Sequence, residues 1–144
     1  MIIDTHCHAG LNWFEPIESL IFQMDINYID SCLLIQHGGY FDNSYILNAV
    51  KKYPNKFRAL GLLNFQEDTK LILKNIDEIF DNKGSGIRLN LNYSSKVHNK
   101  VVTICKAVSN KGLKISVAGD LNNFSSKSFE NLIFECSDTI FIIE

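Results

Sequence analysis

Short apolar segments alternate with amphipathic segments along the whole chain. Apolar residues recur with helical spacing in the longer segments, as at Ile17, Leu20, Ile21 and Met24. Six shorter apolar segments have the length and composition of β-strands: Met1–His8, Tyr28–Gln36, Phe57–Leu63, Gly86–Asn90, Lys114–Ala118 and Thr139–Ile143. The pattern therefore predicts a strand–helix unit repeated five times and followed by a sixth strand.

The predicted helix boundaries carry residues that are typical of caps and stops. Asn43 or Ser44 can cap the second helix, and Asp68 opens the third. Gly84 and Gly112 are predicted to stop the third and fourth helices. These positions support the division into separate helices.

Strands that are apolar on both faces and separated by helices predict an α/β protein with a parallel sheet covered by helices. A complete (β/α)₈ barrel needs about 250 residues and eight strands, whereas this chain of 144 residues has six. On these grounds alone an open doubly wound sheet fits the length better. However, the first strand is followed by "HAGLNW", which lacks the glycine-rich phosphate turn of such sheets.

Composition indicates an ordinary globular protein, with 46% hydrophobic residues, 21% charged residues and a formal net charge of −2. The charge balance gives no reason to expect a nucleic-acid or membrane partner. The sequence contains no run near the roughly 18 apolar residues of a membrane span. Four cysteines lie far apart without CxxC spacing, which favours reduced thiols and a cytoplasmic location.

Two of the four histidines stand two residues apart at the end of the first predicted strand. Side chains alternate along a strand, so Asp4, His6 and His8 are expected on one face, with Thr5 and Cys7 on the other. Two imidazoles on one face can bind a single Zn²⁺ ion, and Asp4 could fix a ring tautomer by accepting its N–H. The alternative is a chance HxH pair at the tip of a packed strand.

The segments "IIDTHCH", "YIDSCLLIQ", "FDNSYILNAVKKYPNKFRALGLLN", "GSGIRLN" and "TIFIIE" together resemble the amidohydrolase superfamily. Within it, the chain is similar to the amidohydrolase-2 family of TIM-barrel hydrolases and decarboxylases. The resemblance implies a TIM-barrel-like partial barrel of about six βα units, with 1–144 as a single domain that is incomplete at its C-terminus. The family's later sixth-strand histidine and eighth-strand aspartate would follow Glu144.

The resemblance also implies part of a site. His6 and His8 match the family's first-strand ligands for a divalent metal, for which zinc is the expected ion. The fifth strand ends in Ala118, Gly119 and Asp120 where metal-dependent members have a histidine. That departure resembles the lactonase-like branch, in which a metal is not always needed.

Four further residues are candidates for substrate binding. Arg88 on the fourth strand could hold a substrate carboxylate, or it could form an ordinary ion pair. Gln36 and His37 could line the same mouth, although loop positions without a role are the alternative. Asp120 could reach the mouth or could cap the next turn.

The resemblance implies a hydrolase that attacks a small carboxylated compound, such as a lactone or cyclic amide, with activated water. One alternative is a non-catalytic barrel fragment that binds a ligand or a partner chain, including a second copy of itself. Another is a TatD-type metal-dependent nuclease, which begins with a similar Asp-Thr-His-Cys-His run. Its third strand usually carries a glycine before a His-Pro turn and its fourth a glutamate, where this chain has "LGLLNFQED" and "GIRLN".

Overall fold

A computed structural model describes residues 1–92 and 95–144 of the chain. Six strands alternate with helices, as the sequence pattern predicts. The strands are β1 (Ile3–Cys7), β2 (Ser31–Ile35), β3 (Phe57–Leu62), β4 (Gly86–Asn90), β5 (Lys114–Ala118) and β6 (Phe141–Ile143). The helices are α1 (Ile17–Ile26), α2 (Ser44–Lys52), α3 (Thr69–Asp81), α4 (His98–Asn110), α5 (Leu121–Phe124) and α6 (Lys127–Glu135), and a 3-10 turn at Ser95–Val97 precedes α4.

The six strands form one parallel sheet in the order β1-β2-β3-β4-β5-β6. Each strand therefore pairs with the next one in sequence, and the order never reverses. A doubly wound sheet reverses its strand order at a switch point, so the open alternative is excluded. The sheet with its intervening helices is a partial TIM-barrel fold, which confirms the predicted fold class.

One face of the sheet packs against the helices and forms the hydrophobic core. Strands β2 to β5 contribute two residues each to this core: Cys32, Leu34, Phe57, Ala59, Ile87, Leu89, Ile115 and Val117. The opposite face, which is the inner face of the barrel, carries Leu60, Leu62, Arg88 and Ser116. Polar side chains near the carboxyl ends of the strands on this inner face can therefore meet.

The pairing of β1 with β2 changes register by one residue. Asp4 pairs with Cys32 and Cys7 with Leu34, so three steps along β1 match two along β2. The extra residue of such a bulge turns the following side chains to the opposite face. Asp4 and Cys7 consequently lie on the helix-facing side, and the prediction that Asp4 shares a face with His6 and His8 is wrong.

Two local predictions at helix ends also need correction. Asn43 precedes α2, but its side chain makes no cap; instead Asp42 Oδ1 accepts a hydrogen bond from the Ser44 N–H at 2.9 Å. Gly84 was predicted to stop α3, but the helix already ends at Asp81, and the residue with the left-handed backbone conformation that follows it is Lys83 (φ 64°). The four-residue helix α5 was not predicted, because its single turn is too short for a periodic pattern.

The helices of the described residues are all too short or too polar to cross a membrane.

Candidate active site

The rings of His6 and His8 meet at the carboxyl end of β1. Their Nε2 atoms are 3.2 Å apart and the ring planes lie at 81° to each other. The Ile35 carbonyl, at the end of β2, accepts a hydrogen bond of 2.7 Å from His8 Nδ1. Because Nδ1 carries the proton, the His8 Nε2 lone pair points toward His6. The expected convergence of the two imidazoles is therefore present, although the partner that fixes the tautomer is Ile35 and not Asp4.

The histidine pair fits a metal ion. Two ligand nitrogens about 2.05 Å from a tetrahedral zinc stand about 3.3 Å apart, and the observed Nε2 separation is 3.2 Å. A backbone carbonyl behind His8 supplies the outer hydrogen bond that ligating histidines commonly make. The Nε2 separation and the outer hydrogen bond of His8 would thus suit two ligands of one divalent cation.

The surroundings of His8 favour the neutral form of its ring. Burial is the main cause that lowers the pKa of His8, and the nearby positive potential of His6, Arg88 and His37 lowers it further, against the hydrogen bond to Ile35. The ring also stacks on Phe14 with 4.8 Å between centroids. Neutral imidazole is the form that binds a metal, so the environment favours that form.

The carboxylate of Glu144, which was not among the predicted site residues, lies beside the histidines. Glu144, directly after β6, accepts hydrogen bonds from Arg88 Nε at 2.9 Å and Ser116 Oγ at 2.5 Å. Its Oε2 is 2.7 Å from Arg88 Nη2 and 4.0 Å from His6 Nδ1. The side chain is only 15% exposed. Arg88, Ser116 and Glu144 thus form a charged group on the inner face of the barrel next to His6.

Arg88 lies where a substrate-binding residue was expected, and it also forms the ion pair that was its alternative. The pair with Glu144 engages Nε and Nη2, whereas a guanidinium carries further N–H donors on Nη1. Next to Arg88 is an open cavity of about 440 Å³, whose wall includes Phe41, Leu62, Asn64 and Asn90. The cavity has apolar walls and several amide groups, with a cation at one side.

Gln36 and His37 occupy the loop after β2, and the structure gives them different surroundings. Gln36 is buried; its amide donates to the Asp42 carbonyl at 2.6 Å and accepts from the His37 N–H at 3.0 Å. His37 stacks between Trp13 and Tyr40, with centroid distances of 5.4 and 5.2 Å. Gln36 thus braces the loop, and His37 belongs to an aromatic cluster beside the histidine pair.

Asp120 has the capping role that was its alternative. Its Oδ1 accepts the Asn123 N–H at 2.8 Å, and the Asn123 side chain accepts the Asp120 N–H at 3.0 Å. This reciprocal capping box starts α5. The carboxylate of Asp120 is exposed to solvent and is committed to the helix end.

Known structures share this architecture at low sequence identity. LigW, a 5-carboxyvanillate decarboxylase from Sphingomonas paucimobilis, superposes with a TM-score of 0.74 and 11% identity over 99% of this chain and 66% of its own. A dihydroxybenzoic acid decarboxylase from Polaromonas, with bound manganese and the inhibitor 2-nitroresorcinol, gives 0.71 and 11% over 99% and 64%. An Acinetobacter baumannii protein described as a probable 2-pyrone-4,6-dicarboxylic acid hydrolase, with citric acid bound, gives 0.66 and 13% over 99% and 68%.

These comparisons define the class of fold to which the chain belongs. The neighbours named above are two decarboxylases and a protein described as a probable hydrolase, and this chain spans about two thirds of the length of each. No protein-family model and no curated protein matches the sequence. The comparisons thus confirm the partial-barrel fold that the resemblance of the sequence implied.

Proposed function

We propose that the chain carries part of the active site of a metal-assisted hydrolase that acts on a small carboxylated compound, such as a lactone, a cyclic amide or a related ring. The observation that carries the proposal is the 3.2 Å separation of His6 Nε2 and His8 Nε2 at the carboxyl end of β1. Active sites of (β/α) barrels are built at that end of the strands. Whole-barrel neighbours described as acting on carboxylated rings support the same class of substrate.

In this proposal His6 and His8 hold a divalent cation, with zinc as the first candidate and manganese, present in one neighbour, as the second. Such an ion polarises a carbonyl oxygen and lowers the pKa of bound water. The residues of this chain prepare the site for it. The Ile35 carbonyl fixes the His8 tautomer, and a movement of about 1 Å would let Glu144 accept the His6 Nδ1–H in the same manner.

Arg88 and the cavity beside it bind the substrate in this account. Arg88 is paired with Glu144 through Nε and Nη2, and its Nη1 donors, which bond to none of the residues that the structure describes, would bind a carboxylate group of the substrate. Glu144 holds the guanidinium in place from its other side, and Ser116 holds Glu144. His37, in its stack with Trp13 and Tyr40, covers the mouth with flat apolar surface suited to a ring.

A second candidate reaction is decarboxylation of a carboxylated aromatic compound. The stacked rings of Trp13, His37 and Tyr40, together with Phe14 on His8, favour a planar aromatic substrate over an aliphatic one. Two of the neighbouring enzymes are decarboxylases of such compounds. Both reactions would use the same cation, the same Arg88 and the same aromatic cluster. Only the product formed therefore distinguishes them.

Metal content and turnover, measured on the same preparations, test the proposal. We expect the purified chain to retain close to one divalent ion at the histidine centre after dialysis, and the His6→Ala/His8→Ala variant to lose that ion. His98→Ala is the matched control, because His98 pairs with Glu135 on α6, outside the site. Equal metal content in wild type and double variant would contradict the proposal.

Turnover then separates the two reactions. Carboxylated lactones and hydroxybenzoates are supplied in parallel, and ring opening and CO₂ release are followed. Hydrolysis that disappears in the His6→Ala/His8→Ala variant supports the first reaction, and metal-dependent CO₂ release supports the second. Metal binding without either product in wild type would favour the non-catalytic ligand-binding alternative.

A further inference from the structure

A second group of metal-ligating side chains lies on the helix-facing side of β1 and β2. It consists of the Asp4 carboxylate and the thiols of Cys7 and Cys32, whose ligand atoms all lie within 4.8 Å of one another. Cys7 is 7% and Cys32 2% exposed, and Asp4 is half-buried. The histidine pair lies on the inner face, so the two groups are on opposite sides of β1.

The register shift in β1 creates this group. Asp4 stands beside Cys32 in the pairing of β1 with β2, and Cys7 stands beside Leu34. In a regular strand Asp4 and Cys7 would point to opposite faces, because they are three positions apart. The extra residue between them places both side chains on the face that carries Cys32. One irregularity thus brings two sulfur ligands and one oxygen ligand together.

The backbone already orients the carboxylate of this group. Asp4 Oδ1 accepts a hydrogen bond from the His6 N–H at 3.0 Å, which fixes the direction of the carboxylate. The Cys7 and Cys32 thiols lie within 4.8 Å of the Asp4 carboxylate and of each other. Outer hydrogen bonds of this kind commonly hold the ligands of metal sites.

We propose that Asp4, Cys7 and Cys32 form a second cation site, specific for a thiophilic divalent ion such as Zn²⁺. Sulfur ligands of a tetrahedral ion at about 2.3 Å stand about 3.8 Å apart, so shifts of about 1 Å bring the three atoms to ligand distances. Binding releases the thiol protons to solvent, and water completes the fourth position at the exposed side of Asp4. The ion joins edge strand β1 to β2 directly behind the histidine pair.

Cadmium is the probe, because its thiolate complexes absorb in the ultraviolet and its bond preferences follow those of zinc toward sulfur. The reduced, metal-free full chain is titrated with Cd²⁺ while the thiolate-to-cadmium charge-transfer band is followed. We expect the band to saturate at one sulfur-bound ion per chain. The Cys32→Ser variant loses the band, and Asp4→Asn weakens Cd²⁺ affinity by about tenfold or more.

The chain provides a matched control. Cys105 and Cys136 are two further buried thiols, and among the described residues they belong to no group of three metal-ligating side chains. Cys105→Ser is therefore expected to keep the band at full affinity. The His6→Ala/His8→Ala variant also keeps it, which separates this site from the histidine centre. Absence of the band in wild type, equal loss in Cys105→Ser, or unchanged affinity in Asp4→Asn would overturn the proposal.

Discussion

Single polar side chains hold together parts of the chain that are distant in sequence. Asn43 is buried between α2 and β3, where its Oδ1 accepts the Leu62 N–H at 2.8 Å and its Nδ2 donates to the Leu62 carbonyl at 3.0 Å. The sequence suggested only a helix cap at this position. Similarly, the role of the Glu144 carboxylate could not be predicted, because its partner Arg88 is 56 residues away in sequence. The spacing of His6 and His8 was informative because it is local.

Asn43→Ala is predicted to lower the free energy of unfolding by about 2–3 kcal/mol, because two backbone groups of Leu62 lose their buried partners. Urea unfolding followed by circular dichroism measures the change. Asn48→Ala, on the exposed side of α2, is the control and should change stability by less than about 0.5 kcal/mol. Equal effects of the two substitutions would contradict the role assigned to Asn43.

Elements were easier to predict from the sequence than the irregularities within them. The bounds of β4 and β5 agree with the predicted Gly86–Asn90 and Lys114–Ala118, because glycines and helix ends flank both strands. The register shift in β1 could not be predicted, since no glycine or proline marks it in Asp4–Cys7. Because of that shift, Asp4 does not share a face of β1 with His6 and His8. Alternation along a strand is therefore a reliable guide only where pairing is regular.

Close contact between β4 and β5 depends on one glycine. A Cβ atom on Gly86 would lie within 2.9 Å of three backbone atoms of Lys114. Gly86→Ala is expected to force the two strands apart and to lower the free energy of unfolding by about 3 kcal/mol. Thermal unfolding reports this as a lower Tm. Gly38→Ala is the control, because a Cβ at Gly38 meets nothing within 4 Å, and a Tm drop of similar size there would refute the explanation.

At the scale of the whole molecule, both outer strands of the sheet expose apolar side chains. Ile2 and Ile3 at β1 are 56% and 49% exposed, and Ile142 and Ile143 at β6 are 44% and 64% exposed. Unpaired strand edges with apolar residues favour pairing with another chain. If copies of this chain pair with one another, we expect them to do so through these edges.

We therefore expect this chain to self-associate as its concentration rises. Size-exclusion chromatography of Ile142→Lys/Ile143→Lys should show a shift toward the monomer, because charge at an edge opposes pairing. Phe134→Lys is the control: Phe134 is 85% exposed and lies on α6, outside both edge strands. A wild-type chain that stays monomeric at all concentrations, or a Phe134→Lys variant with the same shift, would show that the edges do not drive association.

His6 and His8 are expected to bind one cation between their Nε2 atoms. Anomalous diffraction from crystals soaked in Mn²⁺ can locate that ion, because manganese prefers nitrogen and oxygen ligands over thiols and its position is found independently of the protein atoms. We expect a single strong peak bonded to both Nε2 atoms at the end of β1. A peak elsewhere, or two rings pointing apart with no manganese between them, would contradict it.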